Sequence, residues 1–368
     1  MNMKMKKNLI ACLALALMLG GTISSALAGN PDRIGQSGAN QLIMNPWARS
    51  SGWGWASVSS VRGLEASYLN MGGLAYLDKT EIAFANTNWL SGSGISINTF
   101  GIAQSLAGEG VLSLSVMTTS MGEIEITTVD QPEGGLGSVN PRLTNIGVGY
   151  AKRFTESISG GVLVRIHSES IANAGAQGVA IDAGIQYTET SNKLDKLKQN
   201  DIKFGISMKN VGPDVSFSGD GLGFKILNPA NDQEQTMIFR SQRYGLPTLI
   251  NISASYDFRM DASDETYNHR LTPALTFTSN AFTRNQITGG LEYSFKSLFA
   301  LRGGYAFEEG GLDINERTTA YTGLSAGFSL DLPLSKEEDA GKFGIDYSFR
   351  HSNPFSGTHC IGVRLSLQ

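Results

Sequence analysis

Cys360-Ile361-Gly362-Val363-Arg364-Leu365-Ser366-Leu367-Gln368 is the last stretch of the chain. Side chains of an extended segment alternate between two faces, so Ile361, Val363, Leu365 and Leu367 point one way and Gly362, Arg364 and Ser366 the other. One greasy face and one polar face fit any half-buried strand. The pattern decides the fold because it recurs over most of the chain.

From Glu81 onward about fourteen segments of roughly ten residues carry it. They lie near 81–89, 95–104, 110–120, 142–154, 157–170, 177–188, 202–217, 246–258, 270–279, 285–296, 298–307, 318–332, 342–350 and 359–367. In the fifth, Ile158, Val162, Val164 and Ile166 alternate with Ser159, Arg165 and His167. In the thirteenth, Phe343, Ile345, Tyr347 and Phe349 alternate with Lys342, Asp346 and Arg350.

A soluble β-sandwich would alternate too, with its apolar residues inward. Three features favour an all-β, transmembrane antiparallel barrel with the greasy face outward. Aromatic pairs recur near strand ends (Tyr256/Phe258, Tyr293/Phe295, Tyr305/Phe307, Tyr347/Phe349), as an interfacial girdle requires. Small residues crowd the polar face at Gly147, Gly149, Gly184, Gly205, Gly303 and Gly304. Tight turns near 107–110, 155–156 and 296–297 follow even-numbered strands, with the longer connections near 189–201, 259–269 and 333–341 as exceptions, and the longest loops, near 121–141 and 214–245, follow odd-numbered ones. Short turns at one rim and long loops at the other are usual for barrels, and they place the long loops outside the cell.

Residues 1–28 read as a signal peptide. Lys4, Lys6 and Lys7 precede an apolar core at Leu9–Leu19, and Ala26-Leu27-Ala28 is a small-x-small cleavage site. Residues 29–80 lack clean alternation and carry Trp47, Trp53 and Trp55; they are expected to form a plug with short helices. Residues 81–368 then form the barrel. The expected location is the outer membrane of a Gram-negative-type envelope.

Removal of the three signal lysines takes the formal charge from −4 to −7, which argues against a nucleic-acid partner. No mature stretch of 18 or more apolar residues offers a helical span. The single mature cysteine, Cys360, has no internal disulfide partner.

Gly323-Leu324-Ser325-Ala326-Gly327 matches a nucleophile-elbow pattern, but that motif needs a strand-to-helix turn, and here it lies in mid-strand. It is read as a small residue facing the lumen. The four histidines show no metal-ligand spacing. Charges on the lumenal face have mixed sign (Arg165, Asp182, Lys203, Lys209, Asp257, Glu292, Arg302, Asp346, Arg364), which predicts pairing across a closed interior. No catalytic residue, metal or cofactor is assigned.

Gly35 to Gly52 reads Gly-Gln-Ser-Gly-Ala-Asn-Gln-Leu-Ile-Met-Asn-Pro-Trp-Ala-Arg-Ser-Ser-Gly, and Ser67-Tyr68-Leu69-Asn70-Met71-Gly72-Gly73-Leu74 follows. Further on come Lys209-Asn210-Val211-Gly212-Pro213 and Gly245-Leu246-Pro247. In order and spacing these stretches resemble the PorV/PorQ family of the type IX secretion system. Met71-Gly72 stands where that family's turn carries Pro-Ala, and Gln368 stands where a terminal aromatic is common.

The resemblance implies a barrel similar to FadL with an N-terminal plug, in which Asn70, Gly72, Gly73 and Leu74 form the plug turn. It implies a non-enzymatic part in protein secretion. The partners would be a translocon barrel and the C-terminal domains of secreted cargo, or attachment-complex proteins, with outer-membrane lipid around the wall. The candidate partner surfaces are the loops 121–141 and 214–245; in the second, Phe217, Phe224, Ile226, Leu227, Met237, Ile238 and Phe239 are too apolar for a solvated loop, and the rival reading is that it folds over its own barrel mouth. The alternative reading is a FadL-type transporter of hydrophobic small molecules, with the tryptophan cluster lining its pocket.

Overall fold

The computed structural model describes residues 33–367 apart from 107, 191–200, 231, 261, 264–265, 312, 314–315 and 336–340. The expected signal peptide, 1–28, lies outside the described residues.

Fourteen long strands close into one antiparallel cylinder. They are β1 (Thr80–Trp89), β2 (Ile95–Ser105), β3 (Val111–Ser120), β4 (Arg142–Arg153), β5 (Ile158–Ile171), β6 (Ala174–Thr190), β7 (Asp201–Val211), β8 (Leu249–Tyr256), β9 (His269–Asn280), β10 (Gln286–Phe295), β11 (Phe299–Glu308), β12 (Tyr321–Pro333), β13 (Lys342–Ser352) and β14 (Thr358–Leu367). Each pairs with its neighbours in sequence, and β14 returns to β1 with Leu367 opposite Thr80. Full closure removes the open edges that make a sheet sticky.

The sequence placed all fourteen strands, but three of the expected spans overreach: β7 ends at Val211 rather than 217, β8 begins at Leu249 rather than 246, and β12 begins at Tyr321 rather than 318. Asn210 adopts a left-handed backbone (φ +59°), and Pro213, lacking an N–H, cannot continue a ladder.

The faces follow the period of two. In β14 Ile361 is 57% exposed and Arg364 7%. Five of the six glycines assigned to the lumen face inward. Gly303 does not: a Cβ there would meet only the Ser325 carbonyl, at 4.0 Å, while Gly304 abuts the plug. Arg302 is inward, so its neighbour Gly303 must point outward.

Mixed lumenal charges do pair. Arg165 meets Asp182 at 2.7 Å, Lys203 meets Asp257 at 2.6 Å, and Arg302 meets Glu292 at 2.6 Å. Arg364 lies 2.6 Å from Asp331 and 3.7 Å from Asp346. Of the charges named from sequence, Lys209 departs from the rule and has no carboxylate partner among the described residues.

The segment 33–79 fills the lumen as expected, in short turns: 3-10 helices at Asn40–Ile43, Ala56–Ser59 and Met71–Tyr76, and α-helices at Ala48–Gly52 and Ala66–Leu69. Leu42, Leu64, Met71 and Leu74 are wholly buried between plug and wall. Burial of each such side chain stabilises the plug by about 1.5–3 kcal/mol. The plug begins beside the long loops, at what is called here the outer rim, where Ser37 bridges Gly245. It ends at the opposite, terminal rim, where Ser105 N–H donates to the Lys79 carbonyl at 2.7 Å.

Candidate functional site: a plugged lumen with an outer cavity

Asn70 anchors the plug turn. Its amide nitrogen donates to the carbonyls of Val58 (3.1 Å) and of the wall residues Ile185 (3.0 Å) and Ile206 (3.4 Å). Its Oδ1 accepts from Gly72 N–H at 3.0 Å, which caps the helix Met71–Tyr76. Gly73 is tight against the plug itself, where a Cβ would come within 2.1 Å of the Val61 carbonyl. Leu74 is fully buried. The turn read from the sequence is therefore the joint between plug and wall. The wall also reaches in: Glu81 of β1 accepts from Leu64 N–H at 2.9 Å, and Thr276 donates to the Ala56 carbonyl at 2.8 Å.

Trp53-Gly54-Trp55 crosses the lumen and divides it. Trp53 lines a polar cavity of about 540 Å³ on the terminal side, among ion pairs such as Lys203–Asp257 and Arg302–Glu292. Trp55 lines a second cavity of about 220 Å³ on the outer side. Met44, Val58, Leu69 and Trp89 are among its apolar lining residues, and Lys209, Arg350 and Glu308 also face it. Trp47 instead packs into the buried core with Leu64 and Leu74. Of the tryptophan cluster expected to line one pocket, only Trp55 lines the apolar one.

Trp55 holds a left-handed backbone (φ +77°), and its buried indole N–H has no hydrogen-bond partner in the described structure. A bulky residue in that conformation is strained, and such strain persists only where the surroundings hold it. Arg350 supplies one such contact, its guanidinium 4.5 Å from the Trp55 ring and 3.8 Å from the Tyr321 ring. Lys209 Nζ sits 3.5 Å from the Tyr68 ring centre. Burial, only partly opposed by Arg165, raises the Tyr68 hydroxyl above the ordinary tyrosine range; it donates to the Leu42 carbonyl at 3.2 Å.

The outer cavity reaches the wall at a break. The β11–β12 ladder stops at Tyr305–Leu324, and between Tyr321 and Ser325 strand β12 bulges against β13. Gly323 lies in the bulge at φ +97°, with no room for a Cβ against the Ala306 carbonyl. Tyr305, on the outward face, lines the cavity together with Thr322 and Gly323.

The loop residues expected to meet a partner fall into two groups. Phe217 packs at the loop base beside Tyr244, against a buried cluster that includes Leu42 and Val215. The rest lie on or beside a hairpin, Gly223–Leu227 with Glu234–Ile238, where Phe224 and Phe239 stack at 4.5 Å. Leu227, Met237, Ile238 and Phe239 are exposed there, and Ile226 is half-buried. The base covers the mouth and the tip stands clear of it.

Ser325, of the nucleophile-elbow pattern, points inward and donates to the Gly304 carbonyl at 3.1 Å. His167, on the same face of β5 as Arg165 and Glu169, joins no polar network with them: it is fully buried against Gly178, with neither ring nitrogen partnered among the described residues. Arg165 is taken by Asp182, and Glu169 by the Tyr244 hydroxyl.

No protein-family model matches the chain, and no curated protein matches it. Solved structures do. A toluene transporter of Pseudomonas putida, TodX, superposes with a TM-score of 0.51 at 11% identity, over 87% of this chain and 96% of that one. A FadL homologue of Pseudomonas aeruginosa gives 0.45 at 11% identity, over 86% and 96%. The fold is the plugged fourteen-stranded outer-membrane barrel. The secretion-family resemblance of the sequence has no counterpart in these matches.

Proposed function

We propose that this barrel admits a hydrophobic small molecule at the outer membrane, through the cavity between plug and outer rim. The carrying observation is that an apolar cavity inside the lumen also touches an outward-facing residue, Tyr305, where the β11–β12 ladder has ended. A ligand resting against Trp55 and Leu69 therefore has the wall break beside it. The shared fold with a toluene transporter supports this reading.

The test uses 8-bromooctan-1-ol, whose bromine quenches a tryptophan it touches. In the protein reconstituted in nanodiscs, saturable quenching is expected, and it should vanish in a Trp55→Phe/Trp89→Phe variant. Quenching that never saturates, or that survives the double variant, contradicts the reading.

A second reading rests on the hairpin, which with the adjoining Phe239 carries four exposed large apolar residues that suit a protein partner. A two-stranded hairpin is marginal alone in water, so docking would stabilise it. In this reading the barrel serves type IX secretion, and the hairpin meets cargo C-terminal domains, a translocon barrel or an attachment complex. Deletion of 223–238 should abolish co-purification of such partners from gently solubilised membranes while the barrel stays folded. Unchanged co-purification would sink it.

A further inference from the structure

We infer that the base of the long loop is an acid-opened latch over the outer cavity, with His167 as its sensor. The latch stands on the contacts of the loop itself; that it admits a ligand rests on the small-molecule reading above.

The loop base closes on itself and on the plug. Val215 N–H donates to the Tyr244 carbonyl at 3.0 Å, and Tyr244 N–H to the Val215 carbonyl at 2.8 Å. Gly38 N–H of the plug donates to the Gly245 carbonyl at 3.2 Å. Val215, Leu246 and the plug's Leu42 share a buried cluster with Ala176 and Ala180 of β6. Leu42 belongs to the plug turn Asn40–Ile43, and both ends of that turn line the outer cavity. Lifting the loop base therefore frees a turn that forms part of the cavity wall.

His167 sits under this base. A Cβ on Gly178, its partner on β6, would come within 2.4 Å of His167 Nε2 and 2.6 Å of Val215 Cγ2, so ring and valine close over the same glycine. A neutral imidazole tolerates an apolar cover. An imidazolium there would lose its hydration with little in return. The charges that act on the ring are Glu169 and Arg165, each two residues away on its own strand. From β4, Asn145 stands opposite it; from β6, Asp182 is held by Arg165. The plug turn brings Gln41 and Leu42, neither of them ionisable, and the loop brings Tyr244, with Asp214 lying against Gly245.

Glu169 makes the sensor act twice. Its Oε2 accepts from the Tyr244 hydroxyl at 3.1 Å. A protonated His167, on the same face of β5, offers Glu169 a charged donor, and a charge-assisted bond outweighs one from a neutral hydroxyl. If Glu169 turns to the ring, Tyr244 loses its anchor. If it stays, a bare charge is left under Val215. Both courses open the base. The closed latch takes the neutral ring only, so closure is complete above the free imidazole value near 6.5 and is lost progressively as pH falls below it.

The experiment measures hydrogen exchange at Val215 and Tyr244 in nanodiscs at pH 7.5 and 5.0, corrected for the intrinsic pH dependence of exchange, on wild type and on His167→Phe. Wild-type protection should fall about tenfold or more at pH 5.0, below the ceiling of roughly thirtyfold that a free value near 6.5 sets. His167→Phe should keep its protection at both pH values. Unchanged protection in wild type, or an equal fall in the variant, overturns the inference. Should His167→Phe lack heat-modifiable barrel migration, His167→Gln takes its place. Quenching by 8-bromooctan-1-ol, uncharged at both pH values, then tests the link to the cavity. Its onset in wild type should be several-fold faster at pH 5.0. Equal onset at both values, with protection lost, overturns the latch's place over the cavity. Absence of saturable quenching at either pH overturns the small-molecule reading and leaves the latch to be decided by exchange.

Discussion

Asn70 of the plug lies against Gly184 of β6 so closely that a Cβ on the glycine would come within 2.2 Å of the Asn70 Oδ1 and 2.9 Å of the Met71 nitrogen. The wall is thinned where the plug's best-bonded side chain meets it. Gly184→Ala should therefore push Asn70 off the Ile185 and Ile206 carbonyls. Asn70→Ala should remove the same bonds from the other side. Each is expected to cost about 1–3 kcal/mol, the penalty for buried partners left unmet. Urea unfolding in micelles measures it, and faster proteolysis within 49–62 should accompany it.

Asp182 makes two buried contacts, with Arg165 at 2.7 Å and with Asn210 N–H at 2.6 Å. Asp182→Ala strands a cation and a backbone donor together, so a loss of about 3–5 kcal/mol is expected. Lys225–Glu234 is a pair of similar length on the exposed hairpin. Lys225→Ala should shift the same unfolding curve by no more than about 0.5 kcal/mol, because solvent screens the pair.

Tyr244 ties the long loop to the mouth. Its ring occupies the space a Cβ on Gly38 would need, and its hydroxyl donates to Glu169 Oε2 at 3.1 Å. Burial, then the Glu169 charge and hydrogen bond, hold this hydroxyl's pKa above the ordinary tyrosine value. Docking favours the protonated form, so the contribution is complete below about pH 10, the free tyrosine value, and is lost as pH rises beyond it. Cleavage after Arg240 or Arg243 should accelerate above that pH. In Tyr244→Phe it should be faster at neutral pH and lack this alkaline rise.

Gly323→Val puts a β-branched side chain at φ +97° and a Cβ 2.3 Å from the Ala306 carbonyl. The bulge must then reshape. Heat-modifiable migration should survive, because the β12–β13 ladder from Ser325 to Pro333 is untouched. Uptake of the bromoalcohol into proteoliposomes should fall several-fold. Unchanged uptake would place the ligand's route elsewhere.

The wall was legible because its cause is local. A period of two needs no knowledge of the closed cylinder, so Ile361/Arg364 and Ile166/Arg165 read correctly from neighbours alone. Gly303 shows the limit: in Gly303-Gly304 nothing in either residue says which faces in, and only the parity set by Arg302 decides. The Asn70 turn was legible as a turn, but not as the wall joint, which depends on glycines more than a hundred positions away. Lys209 and Arg350 could not be separated from the paired charges, since pairing is fixed by strands that meet only on closure. The bulge at 321–325 left no mark but Gly323. Trp55, in the plug, showed itself as part of a tryptophan cluster, without any sign of its left-handed backbone.

The plug runs from Ser37 beside Gly245 to Lys79 beside Ser105, and so passes through the lumen from one rim to the other. Mechanically it is a rope through a pipe, spliced into the pipe at Thr80, and not a cork seated in one end. A pull from the terminal side is borne first by the splice and by Glu81. A disturbance from the outer side meets the slightest fastenings first: the Ser37–Gly245 bridge and the contact of Arg33 with the Phe282 ring at 4.0 Å. Loosening that began at the mouth would reach the outer cavity before it reached Asn70, whose bonds to the Ile185 and Ile206 carbonyls lie beyond it. The compartment beside Trp55 is thus walled from the terminal rim by a part of the plug that its own fastenings at the mouth do not hold.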